Sequence, residues 1–380
     1  MFRTMIDLDA NATTPLDEAA LEAMLPCLRE HHGNPSSSHH AGRQSRAVID
    51  SSRDTLAELL GCRSHELIFT GSGTESDNLA ILGLARAYAS KGRHLVTCQT
   101  EHHAVLHAFD YLEAHEGFRV TRLGVEPDGT LCPETLQAAL RPDTTLVSLM
   151  SANNETGVCH PMEALSGVCR AAGVLFHCDG VQSFGKERLN TSLFDALSIA
   201  AHKFYGPKGA GLLYLRGGLS LQPVQLGGAQ ESQRRPGTEN AAAIAGMAAA
   251  ARVAISRMDA DAQRIEPLRN LLETRIKENC AGVELNGTLA RRLWNTVNVT
   301  FPGSDAESLL MALHMEGVWA SSGSACMVGS MQPSHVLQAM GRSPARAASS
   351  IRFSMGRSVT MEAVEAASQK VERVWNRLRE

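Results

Sequence analysis

Through the first 250 residues short apolar runs alternate with amphipathic stretches. The runs Glu66 to Thr70, His94 to Cys98, Phe118 to Gly124, Thr145 to Met150, Val174 to Cys178 and Ala196 to Ala200 predict strands. Between them Arg43 to Leu60, Glu75 to Tyr88, Ala104 to Glu113 and Met162 to Ala172 place apolar residues at helical spacing. Strands alternating with helices of this length predict an α/β fold with crossover units on a mostly parallel sheet. After an Ala-rich helix from about Asn240 to Met258 the rhythm changes. Helical segments Arg264 to Glu278, Asp305 to Glu316 and Met361 to Arg379 now flank strands Thr296 to Thr300 and Ser350 to Ser354. A smaller α+β domain is expected there, with the boundary near residue 260.

Composition narrows the class. Of 380 residues 43% are apolar and 20% charged, the balance of a globular chain able to build a large core. Thirty-six basic against 40 acidic residues leave a net charge of −4. There is no run of five basic residues, so direct nucleic-acid binding is not expected. The longest uncharged apolar stretch, Ala241 to Ala251, falls short of the roughly 20 residues that span a bilayer. Asp7 and Asp9 stand where a secretory signal needs apolar residues, so no membrane association and a cytoplasmic location are expected. Nine cysteines, an odd number without a Cys-x-x-Cys, read as reduced thiols. The pairs His31-His32 and His39-His40 lack a carboxylate or cysteine at ligand spacing, so no metal site is expected.

Three features carry chemistry. Phe69-Thr-Gly-Ser-Gly-Thr-Glu-Ser-Asp-Asn78 is a Gly-rich turn opening a helix, where free N–H groups and the helix dipole favour a phosphate; the plain alternative is a tight turn with Thr74 as N-cap. Asp179 follows the strand Val174 to Cys178, and Lys203 lies in Ala200-Ala-His-Lys-Phe-Tyr-Gly206. Both fall at carboxyl ends of predicted strands, where open α/β sheets bind ligands. A lysine can form a Schiff base and an aspartate can keep a pyridine ring protonated. Together with the phosphate turn they match the three ends of pyridoxal phosphate. Cys326 differs from the other thiols: Ser321-Ser-Gly-Ser-Ala-Cys-Met-Val-Gly-Ser330 is rich in small residues and predicts a surface loop.

These blocks, joined by Asp9-Ala-Asn-Ala-Thr-Thr14, Gly33-Asn-Pro-Ser-Ser37, Glu101-His102, Ala152-Asn-Asn-Glu-Thr-Gly157, Asp179-Gly-Val-Gln182, Arg235-Pro-Gly-Thr-Glu-Asn240, Pro333-Ser-His-Val-Leu337 and Ser350-Ile-Arg-Phe-Ser354, resemble the cysteine desulfurases. That family lies in the class V aminotransferase group of fold-type-I pyridoxal phosphate enzymes. The resemblance implies a large cofactor-binding domain, residues 15–260, with a mostly parallel seven-stranded sheet. Residues 1–14 and 261–380 would form the small domain carrying the catalytic cysteine. It implies that Lys203 holds the cofactor aldehyde, Asp179 pairs with the ring nitrogen, and His102 stacks on the ring and helps move protons. Asn154 and Gln182 would bond the phenolic-oxygen side. Gly73, Thr74 and His202 would hold the phosphate, with Thr238 reaching the neighbouring site of a homodimer. Arg352 would clamp the substrate carboxylate, assisted by Asn34. Ala200 stands where the family usually has a phosphate-binding serine. The implied reaction converts L-cysteine to L-alanine and leaves a persulfide on Cys326 for a sulfur-acceptor protein, in iron-sulfur cluster or thio-modification pathways. The alternatives are a selenocysteine lyase or a class V aminotransferase, and the latter has no need of a thiol.

Overall fold

The computed structural model describes residues 5–287, 290–323 and 333–379. A seven-stranded sheet organises the larger part. Its strands are β2 (Leu67–Thr70), β3 (His94–Cys98), β4 (Arg119–Leu123), β5 (Thr144–Met150), β6 (Leu175–Asp179), β7 (Ala196–Ala200) and β8 (Gly211–Leu215). They lie in the order β2-β8-β7-β6-β5-β3-β4, and all pairings are parallel except those of β8 with β2 and β7. Strands β3 and β5 are buried along their whole length. That is why they read as continuous apolar runs instead of alternating ones.

Two helix-covered faces follow. Leu79, Ile81 and Phe109 pack with Leu146 and Leu213 on one side; Leu56 and Leu165 join Val147, Phe176 and Leu197 on the other. The helices bearing on the site are α1 (Glu18–Arg29), α2 (His40–Leu60), α3 (Gly73–Ala87) and α4 (His103–His115). The sequence reading placed the start of α3 at Glu75. In fact Ser72 is the N-cap, accepting the N–H of Glu75, and Thr74 is the second helical residue, not the cap. His39 caps α2, its Nδ1 accepting from Gly42 N–H.

Two expectations change at the level of elements. Gly211–Leu215 is a strand that the pattern did not propose, and its antiparallel pairing closes the sheet between β2 and β7. The helices expected at 240–258 and 264–278 are one helix, Ala241–Asn279, running through Pro267. By length and composition this helix could cross a membrane. Its apolar residues are instead consumed by packing: Ala243, Met247, Ala250 and Ala254 join the core of the large sheet, while Ile265, Leu272 and Ile276 join a second core with Val297, Phe353 and Trp375. The second core rests on a three-stranded antiparallel sheet of β9 (Glu284–Asn286), β10 (Thr296–Thr300) and β12 (Ser350–Ser354). A short parallel pair, β1 (Ile6–Asp7) with β11 (Val318–Trp319), ties the chain's start to it.

Candidate active site

Strand β6 ends in Asp179 and β7 leads through Ala200 into the turn carrying His202 and Lys203, so the sheet's carboxyl edge brings these groups together. The segment Asp9–Thr14 is laid across that edge as a spine. Lys203 Nζ donates to the carbonyls of Asn11 at 2.7 Å and Ala12 at 2.9 Å. Gln182 Nε2 donates to the same Asn11 carbonyl at 3.0 Å, and Asn11 Nδ2 donates to the Asn154 carbonyl at 3.2 Å. His202 Nδ1 meets Thr13 Oγ1 at 3.2 Å, while its carbonyl accepts from Thr14 N–H. Arg352, from β12, donates to the Asn154 carbonyl at 3.1 Å and to Asp9 Oδ1 at 2.7 Å.

Burial sets the charge states. Asp179 is 6% exposed, and desolvation pushes its carboxyl up to about 6; the N–H of Val181, 2.9 Å from Oδ1, and the charge of Lys203 pull the other way. His102, the N-cap of α4, is lowered to about 4 by burial and by Lys203, so its ring is neutral near pH 7. Nδ1 accepts from Ala104 N–H at 3.1 Å, which assigns the ring proton to Nε2. His202 is lowered to about 4 for the same two reasons.

Several features fit pyridoxal phosphate. A Cβ on Gly73 would meet Val181 Cγ2 at 2.7 Å and Ala200 Cβ at 3.3 Å, so at the start of α3 the neighbouring side chains close in on bare backbone. Among the described residues Gln182 Oε1 and Arg352 Nε are buried without a hydrogen-bond partner, and such groups call for one. The charge of Lys203 acts on both the Asp179 acid and the His102 ring, so these three groups lie near one another at the same edge of the sheet.

The other expected residues divide. Thr74 is exposed at the start of α3. Thr238 is exposed in a loop held to the first turn of α3 by Arg235 Nε on Glu75 Oε1 at 2.7 Å. Asn34 is exposed, and its Oδ1 accepts from Ser36 N–H in its own loop instead of meeting Arg352. Cys326 lies outside the described residues. Both flanks of its segment are fastened at the site: Ser321 exchanges backbone bonds with Arg352, Ser334 Oγ donates to buried Glu155, and His335 Nε2 bonds the Glu101 carbonyl at 2.9 Å. Most other thiols sit in the core, where burial raises Cys98, Cys169 and Cys280 to about 12 and makes them poor nucleophiles. Asn11 and Asp9 had received no role, although the block containing them was recognised. Their work is done through a carbonyl and a long-range ion pair, for which residue type gives no signal.

Comparison with known proteins identifies the family. The class V aminotransferase family model matches residues 6–367. A cysteine desulfurase IscS of Dictyoglomus turgidum is 44% identical over 374 residues, covering 98% of this chain and 95% of that one. A cysteine desulfurase of Mus musculus is 43% identical, covering 98% and 82%. Among solved structures a NifS-like protein matches with a TM-score of 0.92 and 33% identity over 98% of this chain and all of that one. SspA, solved in complex with cysteine, matches with a TM-score of 0.80 and 33% identity, covering 92% and 98%. The chain belongs to the cysteine desulfurases of the class V aminotransferase family, enzymes of the fold-type-I α/β class that depend on pyridoxal phosphate.

Proposed function

We propose that the chain takes sulfur from L-cysteine, releases L-alanine and carries the sulfur as a persulfide on Cys326. The observation that carries this reading is the convergence of Lys203, Asp179 and His102 with the two fastened flanks of the Cys326 segment. Lys203 would hold the cofactor, with Asp179 at its ring nitrogen, His102 on its face, Asn154 and Gln182 at its phenolic side, and Gly73, Thr74 and His202 at its phosphate. When bound, pyridoxal phosphate supplies an aldehyde for the substrate amine and a ring that stores an electron pair.

Each protein group then has a definite task. Arg352 orients the substrate carboxylate, with Asn34 assisting from a loop that must turn toward it. The Lys203 amine, once the substrate amine has displaced it from the aldehyde that it would hold, would take the α-proton and return one to carbon. The Cys326 thiolate attacks the substrate sulfur; an S–S bond forms, the Cβ–S bond breaks, and the electron pair left on carbon is protonated to give alanine. The sulfur then passes to an acceptor protein in iron-sulfur cluster assembly or thio-modification. We further propose a cytoplasmic homodimer in which exposed Thr238 completes the neighbouring site. Two bodies, 15–260 and the joined segments 1–14 and 261–380, are supported by the two separate cores.

Incubation with L-cysteine is the test. Alanine should appear with one added sulfur on the Cys326 peptide, and C326S should lose both while keeping the visible absorbance of bound cofactor. Undiminished alanine from C326S would leave a thiol-independent lyase reading instead.

A further inference from the structure

A sealed polar chain lies beside Asp179. On a strand, residues two apart share a face, so His177 and Asp179 of β6 lie on the same side. Ser148 is the register partner of His177 on β5, and Ser198 that of Asp179 on β7. His177 Nδ1 meets Ser148 Oγ at 2.7 Å, and Nε2 meets Ser198 Oγ at 2.9 Å. Asp77, one turn into α3, places Oδ1 3.7 Å from His177 Nε2; the neighbouring Ser198 hydroxyl favours its charged form, against the burial and the like charges of Asp179 and Glu101 that favour the neutral acid. Asp77 is 1% exposed; His177, Ser148 and Ser198 are wholly buried.

The two carboxyls are unequally supported. Asp179 has the Val181 N–H and, before cofactor is bound, the positive charge of Lys203. Among the described residues Asp77 Oδ1 has no hydrogen-bond partner, and no lysine or arginine pairs with Asp77. It sits beyond the free N–H groups at the start of α3, and His177 beside it is neutral, lowered to about 3 by burial. The carboxyls of Asp179 and Glu101 both act on it with like charge. Two interacting carboxyls in a dry site do not both ionise, and the proton goes to the less supported one.

We propose that Asp77 is a positioning residue that holds a proton as a neutral acid, so that Asp179 remains an anion, with Ser198, His177 and Ser148 fixing the acid in place. The chain is self-consistent in that state: the Asp77 acid donates to Ser198 Oγ, the Ser198 hydroxyl to His177 Nε2, and His177 Nδ1–H to Ser148 Oγ. The inference rests on the proposed function in one respect, that Asp179 faces the cofactor ring.

Infrared difference spectra of the holoenzyme decide it. Subtracting D77N from wild type at neutral pH should leave a neutral carboxyl band, with the carboxylate bands unchanged. D77N, which keeps a neutral polar group, should hold pyridoxal phosphate within about threefold of wild type, whereas His177→Phe, which breaks the chain, should weaken retention about tenfold and His177→Gln should recover part of the loss. Loss of a carboxylate band in D77N, or cofactor loss as large as in His177→Phe, overturns the proposal. Should D77N fail to fold, S198A provides the second reading: the carboxyl band should rise in frequency on losing its partner, and an unmoved band counts against it. Wild-type protein that takes up no cofactor would end the functional reading, while the infrared band would still decide the state of Asp77.

Discussion

At the scale of single residues, burial decides which ionisable groups can change charge, and His160 isolates the effect. It is 3% exposed; Nδ1 accepts from Leu131 N–H at 3.3 Å, and among the described residues Nε2 has no hydrogen-bond partner. Burial lowers it to about 4 from the ordinary 6.5. A depressed histidine favours the fold while neutral, so its contribution is complete above pH 6.5 and drains away as pH falls toward 4, to a limit of about 3 kcal/mol. Buried Asp77 and Glu101 are raised, and they work in the opposite direction, losing stability as pH rises. A comparison of variants cancels those acids. His160→Asn should be less stable at pH 7.5 yet decline less between pH 6.5 and 4.5, as read from urea midpoints. Parallel declines in the two proteins would show that His160 does not carry the acid sensitivity. At this scale the sequence was legible where chemistry fixes residue type, as with Lys203, Asp179 and His102. It was silent on Asn11, which acts mainly through a carbonyl more than 150 positions from its partners Gln182 and Lys203.

At the scale of elements, the start of α3 and the end of β7 meet where a phosphate would lie. Ala200 is 1% exposed and stands against Gly73, with no hydroxyl to offer. Ala200→Ser should supply one further hydrogen bond and slow cofactor loss, by a factor corresponding to about 0.5–1.5 kcal/mol. Gly73→Ala should act oppositely, because its Cβ would press within 2.7 Å of Val181 Cγ2. Dissociation rates followed by the loss of bound-cofactor absorbance test both, and equal rates for Ala200→Ser and wild type would remove the argument for the missing hydroxyl. Most strands were readable because buried parallel strands are unbroken apolar runs. Gly211–Leu215 was hidden because its glycines made the segment look like part of the lysine turn. The unbroken helix Ala241–Asn279 was read as two because Asp259, Asp261 and Pro267 mimic a helix end and a restart, although the chain packs on a different core on either side of them.

At the scale of the whole molecule, the site lies where the two cores meet, so its geometry depends on whatever fixes one against the other. Arg357, which follows the last strand of the small sheet, is one clamp between them. Its Nε donates to Asp261 Oδ2 at 2.7 Å, its NH1 to Asp17 Oδ2 at 3.2 Å, and its guanidinium lies 4.1 Å over the Tyr205 ring. Its backbone N–H donates to Tyr205 Oη at 2.7 Å. Tyr205 holds φ at 69°, a left-handed conformation that a bulky residue adopts only under constraint, and it sits two residues past Lys203. The clamp therefore bears on the amine that would hold the cofactor. Among the described residues, removing the guanidinium leaves Asp261, 4% exposed, with only Arg257 at 3.6 Å as a cationic partner. Arg357→Ala should cost about 3–5 kcal/mol, the range for removing one partner of a buried ion pair. Lysine keeps the charge but not the planar fork that reaches both acids and the ring, so Arg357→Lys should recover less than half of that loss. Because Tyr205 loses its restraint, both variants should also release pyridoxal phosphate faster than their lower stability at 25 °C explains. Urea midpoints paired with cofactor release rates separate the two effects. If release tracks wild type while stability falls, the clamp joins the cores without positioning Lys203.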